Sequence, residues 1–365
     1  MSGIIDRRRI KNLDLVFLSA LLLLFIIGII NLQSAGGETG VWKNQLLWFG
    51  LSLVVMLTLI LIDYHRLLNL SIIFYLFCLG LLVLVLLVGP EIRNCKAWLV
   101  YKGVRIQPSE LAKLAVVLML ARIYQKREEA KQMGVYKLIY PLLVIMIPAG
   151  LIALEPDLGT TLIFLLFGGM VLLFMGIRRW LLVFLIIISL ASVPLGWHYV
   201  LKPHQKKRII VFIEPEKEPL GAGYNLLQSK TAIGSGGALG KGWKKGTQNM
   251  LRFLPEQHTD FAFSVWAEEW GFILGVIPAL SIYLFIIFRG LGIAGEAKDR
   301  FGMMLALGAV MVMMVHLVVN LLMISGWFPV VGVPLPFFSY GGSHLLASFA
   351  LAGVILNVGM RRYVF

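Results

Sequence analysis

The stretch FLPEQHTDFAFSVWAEEWGF (253–272) sets Glu256, His258 and Asp260 at the mouth of an apolar run and places two further carboxylates, Glu268 and Glu269, inside it. Ionisable groups within or at the edge of such a run are costly and mark functional sites by default. If a helix starts beside Asp260, Glu268 follows two turns later, roughly 12 Å deeper on nearly the same face. One acid at a water edge with two below it predicts a polar-lined cavity. A second constellation, Glu110 and Lys113 in QPSELAK (107–113), is spaced by three, which puts both on one helix face where they can pair. That pair reads equally as a structural ion pair and as part of a site, and the two roles are compatible. In EPDLGTT (155–161), Asp157 is placed to cap the following helix; a catalytic role for it or for Glu155 is the weaker alternative.

The elements that must position these groups belong in a bilayer. The chain has 365 residues, 59% of them hydrophobic and 14% charged, with a mean hydropathy of +0.86; a water-soluble protein of that makeup has too little polar surface to cover itself. Runs such as 15–30, 72–88 and 160–176 are almost free of charge and long enough to cross a hydrocarbon core of about 30 Å as helices. Spans are predicted at 13–32, 46–63, 67–89, 109–124, 138–154, 159–176, 180–199, 262–288, 302–324 and 343–360. The first is expected to be retained, being too long for a cleaved signal and lacking a small-residue cleavage site. Cys78 and Cys95 offer neither a disulfide framework nor a spaced metal set.

Lys and Arg gather at 7–11, Arg66, 125–131, Arg178 with Arg179, Arg289 with Lys298 and Arg300, and Arg361 with Arg362. With ten spans all of these fall on one side, so both termini are expected in the cytoplasm. The expected fold is an all-α polytopic membrane domain over 1–365. Helices one to seven occupy 13–199, a large extracellular loop 200–261, and helices eight to ten 262–360. That loop carries Lys202, Lys206, Lys207, Arg208, Lys230, Lys241, Lys244, Lys245 and Arg252, a cationic surface suited to an anionic headgroup or polymer. Its glycine cluster AIGSGGALGKGWKKG (232–246) is no nucleotide loop. Ser235 and Gly242 stand where a P-loop needs Gly and Ser or Thr, and Leu239 replaces the last glycine of the dinucleotide pattern. What remains is a tightly turned backbone able to approach a substrate. The proline- and glycine-rich segment between the last two spans is expected to form a re-entrant loop, 325–342, lining the same site, since irregular backbone at membrane depth needs protein or a wet cavity around it.

The run from Tyr224 to Gly271, with QPSELAK, EPDLGTT and PVVGVPLPFFSYGGS (329–343), resembles the SEDS (shape, elongation, division and sporulation) family over essentially the whole chain. QSKTAIGSGG, GKGW and GTQ stand closer to its elongation member than to its division paralogue. The resemblance implies a ten-helix fold and polymerisation of lipid II into peptidoglycan strands on the outer face of the bacterial cytoplasmic membrane. It also implies a class B penicillin-binding protein and other elongation-complex membrane proteins as partners, no nucleic acid, and no cofactor beyond a divalent cation, Mg or Mn. By motif, the family's essential aspartate of LPExHTD falls on Asp260, and the glutamate and lysine of its QPSExxK on Glu110 and Lys113. Arg105, Trp98, Lys241, His258, Ser339 and Ser343, in or beside the same motifs, complete the expected substrate-binding set. Two departures stand out. NCKAW (94–98) keeps Trp98 but lacks the family's arginine, leaving Lys96 or Arg93 to substitute, and Glu155 replaces a more usual glutamine.

On this reading Asp260 is a general base on the acceptor's 4-hydroxyl, which attacks the donor's anomeric carbon with inversion. Lys113, Arg105 and loop lysines hold the pyrophosphate, directly or beside the cation, and Glu110 positions Lys113. Two other classes remain open: a transporter that flips lipid II, and a noncatalytic scaffold of the elongation complex. No internal repeat is evident and the polar residues concentrate on the outer side instead of at the midplane, which weighs against the transporter.

Overall fold

The computed structural model describes residues 12–37, 40–92, 95–125, 135–178, 203–214, 222–251, 253–254 and 256–362, with scattered positions within 180–198. The basic segments at 7–11 and 126–131, Arg93, Arg179, Lys202, Arg252, Pro255 and much of the predicted span 180–199 lie outside the described residues.

The apolar runs fold as helices: α1 (Leu15–Ala35), α2 (Val41–Leu61), α3 (Tyr64–Val88), α4 (Pro108–Gln125), α5 (Val135–Leu154), α6 (Leu158–Phe174), α7 (Pro203–Ile213), α8 (Ala222–Gly236), α9 (Ala262–Gly271), α10 (Ile277–Gly295), α11 (Arg300–Ser325) and α12 (Gly342–Arg361). Among the described residues, seven helical stretches are long and apolar enough to cross a membrane, with α6 a shorter apolar helix beside them. Four helices open on an aspartate whose carboxylate accepts from a first-turn amide: Asp14 before α1, Asp63 before α3, Asp157 before α6 and Asp299 before α11. Each satisfies a donor that a helix start otherwise leaves orphaned.

Burial separates centre from rim. The most apolar windows of α11 and α12 are 78% and 94% buried, those of α2 and α3 only 22% and 28%. The centre is therefore α11 and α12 with α4, whose residues 112–121 are buried almost without interruption. The outer helices turn Leu, Ile, Val and Phe outward, as a bilayer solvent requires.

Three features depart from the expected pattern of ten unbroken spans and plain loops. A hairpin, β1 (Leu99–Tyr101) with β2 (Val104–Ile106), pairs Val100 with Arg105 around a Lys102–Gly103 turn with φ of 46° and 83°; two positive φ values match the twist of a two-residue hairpin. The expected loop 200–261 holds α7, α8 and the single turn Thr247–Met250, and α8 packs on α9 and α11. The eighth span is broken: α9 ends at Gly271, whose φ is +72°, and a π turn over Phe272–Val276 leads into α10.

The glycine cluster completes that break. Gly237 and Ala238 carbonyls accept from Phe272 and Ile273 N–H at 2.9 Å each, while Lys241 and Gly242 N–H donate to the carbonyls of Glu268 (3.0 Å) and Glu269 (2.9 Å). The turned backbone expected to approach a substrate thus approaches a helix. Gly240 has φ +83°, and a Cβ there would lie 2.3 Å from the Glu269 carbonyl oxygen. Gly240→Ala should therefore lower stability by roughly 1–3 kcal/mol, read as a drop in the thermal midpoint of the detergent-solubilised protein.

Candidate active site

The first turn of α4 carries Glu110 and Lys113 into the interior, where they are 3% and 1% exposed. The predicted pairing is present, with Lys113 Nζ donating to Glu110 Oε1 at 2.8 Å. A buried ion pair needs further hydrogen bonds to its other protons and lone pairs, and two histidines supply one to each partner. Nζ also lies 2.9 Å from His316 Nε2 on α11, and His344 Nδ1 on α12 lies 3.1 Å from Glu110 Oε2. An ammonium only donates, so His316 Nε2 accepts, and its Nδ1–H donates to the Pro334 carbonyl at 3.2 Å. The two imidazoles sit 4.8 Å apart, closing a four-residue cluster from three helices.

Asp260 occupies the turn before α9 and is half-buried. A Cβ on Gly332, where φ is +73°, would stand 3.2 Å from Asp260 Oδ2, so glycine there lets the main chain draw up to the carboxylate. Asn320 on α11 donates from Nδ2 to the Asp260 carbonyl at 2.8 Å and to the Val333 carbonyl at 2.6 Å. Tyr340 N–H donates to the His258 carbonyl at 2.9 Å. The irregular stretch 326–341 therefore lies along the Asp260 turn. Its own polar groups are met inside the protein: Leu335 N–H by Ser339 Oγ (3.0 Å), the Ser339 carbonyl by Gln45 Nε2 (3.1 Å), Gly341 N–H by Gln45 Oε1 (3.2 Å), and the Pro336 carbonyl by Tyr283 OH (2.7 Å).

The remaining expected site residues divide into rim and scaffold. Arg105 is exposed on β2 and Trp98 is half-buried just before β1. Ser343 Oγ accepts from Gln107 N–H at 3.1 Å and donates to the Arg105 carbonyl at 3.3 Å, which fastens the hairpin to the start of α12. Ser339 is buried and its hydroxyl holds a turn. Lys241 Nζ donates to Glu268 Oε1 and Thr247 Oγ1, both at 2.7 Å. Glu268 Oε1 also takes Gln248 N–H at 3.1 Å, and Glu269 accepts from Ser34 on α1. These two acids, 0% and 1% exposed, clamp residues 241–248 and α1 instead of lining a cavity beneath Asp260. His316, His344 and Asn320 escaped sequence reasoning, although polar residues four apart inside MVHLVVNLL were a signal that could have found two of them.

The turn 155–157 sits beside the site. Asp157 caps α6 as predicted, accepting from Thr160 N–H at 3.0 Å, and it also takes Gln107 Nε2 at 3.2 Å, tying α6 to the start of α4. Glu155 is fully buried, and among the described residues neither of its carboxyl oxygens has a hydrogen-bond partner. Burial, reinforced by the charge of Asp157, pushes its carboxyl up to about 8. A carboxyl raised in the folded state favours folding fully below its unfolded value and loses that contribution as pH climbs through the folded value. Glu155→Gln should therefore match the parent's thermal midpoint near pH 4.5 and exceed it above pH 8, by a few kcal/mol at about 1.4 kcal/mol per unit. Equal midpoints at pH 8.5 would contradict the raised carboxyl.

Spans packed around a buried ion cluster define a multi-pass membrane protein. A family model described as cell cycle protein, for FtsW, RodA and SpoVE, matches residues 9–364, and the chain belongs to that family. It is 38% identical over 355 residues to the peptidoglycan glycosyltransferase MrdB of Escherichia coli K12, covering 96% of this chain and 94% of the relative. With the peptidoglycan glycosyltransferase RodA of Treponema pallidum it shares 30% identity over 434 residues, covering 97% and 99%. Among solved structures, a chain of a peptidoglycan synthase complex that coordinates polymerization and crosslinking superposes with a TM-score of 0.85 at 33% identity, covering 97% of this chain and 99% of that one. A crystal structure of the rod shape determining protein RodA from Thermus thermophilus gives 0.73 at 30% identity, covering 97% and 98%.

Proposed function

We propose that this chain is a peptidoglycan glycosyltransferase of the elongation type, polymerising lipid II at the outer face of the bacterial cytoplasmic membrane. The observation that carries the reading is similarity over 96% of the chain to a relative named for that activity. The site has parts for the chemistry. Asp260, half-buried and braced by its backbone, takes the proton of the acceptor hydroxyl. The resulting oxygen attacks the donor's anomeric carbon, the bond from that carbon to the lipid pyrophosphate breaks, and the lipid pyrophosphate leaves. Arg105 at the hairpin rim and the ammonium of Lys113 below it supply positive charge to that leaving group. Glu110 and the histidines hold Lys113.

Mg or Mn enters the proposal only with the substrate. Among the described residues no group of three or more His, Cys, Asp or Glu side chains is arranged to hold a metal ion, so no step is assigned to one. In the proposed topology the chain crosses ten times, both termini face the cytoplasm, and 200–261 lies outside. A class B penicillin-binding protein and further elongation-complex membrane proteins are the proposed partners.

The test is a gel assay of glycan strands from purified lipid II, with this protein alone and with its penicillin-binding partner. Polymer is expected. No polymer from well-folded protein, together with lipid II crossing vesicle bilayers, would replace the polymerase by a transporter.

A further inference from the structure

The candidate general base and the buried ion cluster come from different parts of the chain, and little in either sets their separation. Asp260 is on the turn before α9, and Lys113 is in the first turn of α4. Both are instead tied to α11. His316 bridges Lys113 Nζ (2.9 Å) to the Pro334 carbonyl (3.2 Å). Four residues on, Asn320 bridges the Asp260 carbonyl (2.8 Å) to the Val333 carbonyl (2.6 Å). Residues four apart lie one above the other on a helix face, about 6 Å apart along the axis. The two rungs therefore grip adjacent residues of the irregular stretch, Val333 and Pro334, from one side and the two halves of the site from the other. Val333, Asn320 and His316 are at most 3% exposed; His316 bridges through its two ring nitrogens, Asn320 through the two protons of its one amide nitrogen.

We infer that His316 and Asn320 are positioning residues that set the distance between the Asp260 carboxylate and the Lys113 ammonium. The inference rests on the proposed function for its catalytic consequence but not for its geometry. With His316 gone, Lys113 keeps Glu110 but loses its tie to Pro334; with Asn320 gone, the Asp260 turn loses its anchor to α11. Neither residue touches the reacting atoms, so the loss should fall on turnover with little change in substrate affinity, and a displacement near 1 Å costs about 100-fold.

The experiment pairs a kinetic readout with one independent of activity. His316→Leu, Asn320→Leu and His316→Gln are made in the full chain, and kcat and KM for lipid II are measured with the partner present. The same variants carry nitroxide labels at Lys102→Cys on the hairpin turn and Trp327→Cys at the head of the irregular stretch, both exposed. Both leucine variants should lose at least 30-fold in kcat with KM within about twofold, as expected for an interaction realised only in the transition state, and broaden the distance distribution between the labels. His316→Gln, whose amide both accepts from Lys113 and donates to Pro334, should recover most of kcat and the narrow distribution. If leucine prevents folding, His316→Asn carries the test: its amide nitrogen takes the place of Nδ1 but does not reach Lys113, and its kcat should fall between parent and the 30-fold loss. Folded variants with parental kcat, or with lost kcat and an unchanged distribution, would overturn the inference. If even the parent makes no polymer, the proposed function fails, and the distance distributions alone decide the positioning role.

Discussion

Asp260→Asn should remove glycan polymerisation by about 100- to 10,000-fold, the usual worth of a positioned general base, while the protein stays folded. The separation of the two effects follows from how the residue is held. Its main-chain carbonyl is held from α11 by Asn320, whose Nδ2 donates to it at 2.8 Å, and an amide side chain of the same size leaves that bond in place. The side chain faces Gly332 and is half-buried, so exchanging one oxygen for an NH2 changes its basicity more than its packing. The gel assay on purified lipid II reads the first effect; the thermal midpoint of the same preparation, expected within a few degrees of the parent, reads the second. Normal turnover in the variant would take the base role away from Asp260.

Breaking the buried ion pair should be the most damaging single change to stability. Lys113→Met leaves Glu110 charged and only 3% exposed, with His344 as its remaining partner at 3.1 Å. Removing one partner of such a pair costs about 3–5 kcal/mol, whereas replacing both by groups of similar shape is often close to neutral. Glu110→Gln combined with Lys113→Met should therefore regain most of the thermal midpoint that Lys113→Met loses. It should not regain polymerisation, because the ammonium is gone. Recovery of both stability and activity would make the pair purely structural. A double variant no more stable than the single would show that the burial of an unmatched carboxylate is not what the single variant suffers from.

The parts of this structure that could be read from the chain are those decided within a few residues. The hydropathy of 15–30 or 72–88 requires a membrane helix whatever surrounds it, the i, i+3 spacing of Glu110 and Lys113 makes them neighbours, and Asp157 stands where a helix needs its cap. Contacts made across the chain were not legible. His316 and His344 meet the Glu110–Lys113 pair from positions more than 200 residues away; the polar pair in MVHLVVNLL marks His316 as unusual but does not say which groups it meets. Glu268 looked like a cavity acid because helical geometry places it beneath Asp260, but a lysine 27 residues earlier claims it. The break at Gly271 is invisible in the hydropathy of the 262–288 run, since hydropathy records depth and not backbone path. The hairpin at 99–106 had its signal in the Lys102–Gly103 turn.

That break also separates insertion from folding. An unbroken helix brings its backbone hydrogen bonds with it into lipid, whereas each unsatisfied group left at that depth costs several kcal/mol. The 262–295 stretch needs partners from elsewhere for two carbonyls and two amides, and residues 237–242 provide all four. Those partners lie earlier in the chain, so the break is satisfied only once the two segments meet. The break after α9 and the fold of residues 237–242 are thus interdependent, since each meets the other's backbone groups.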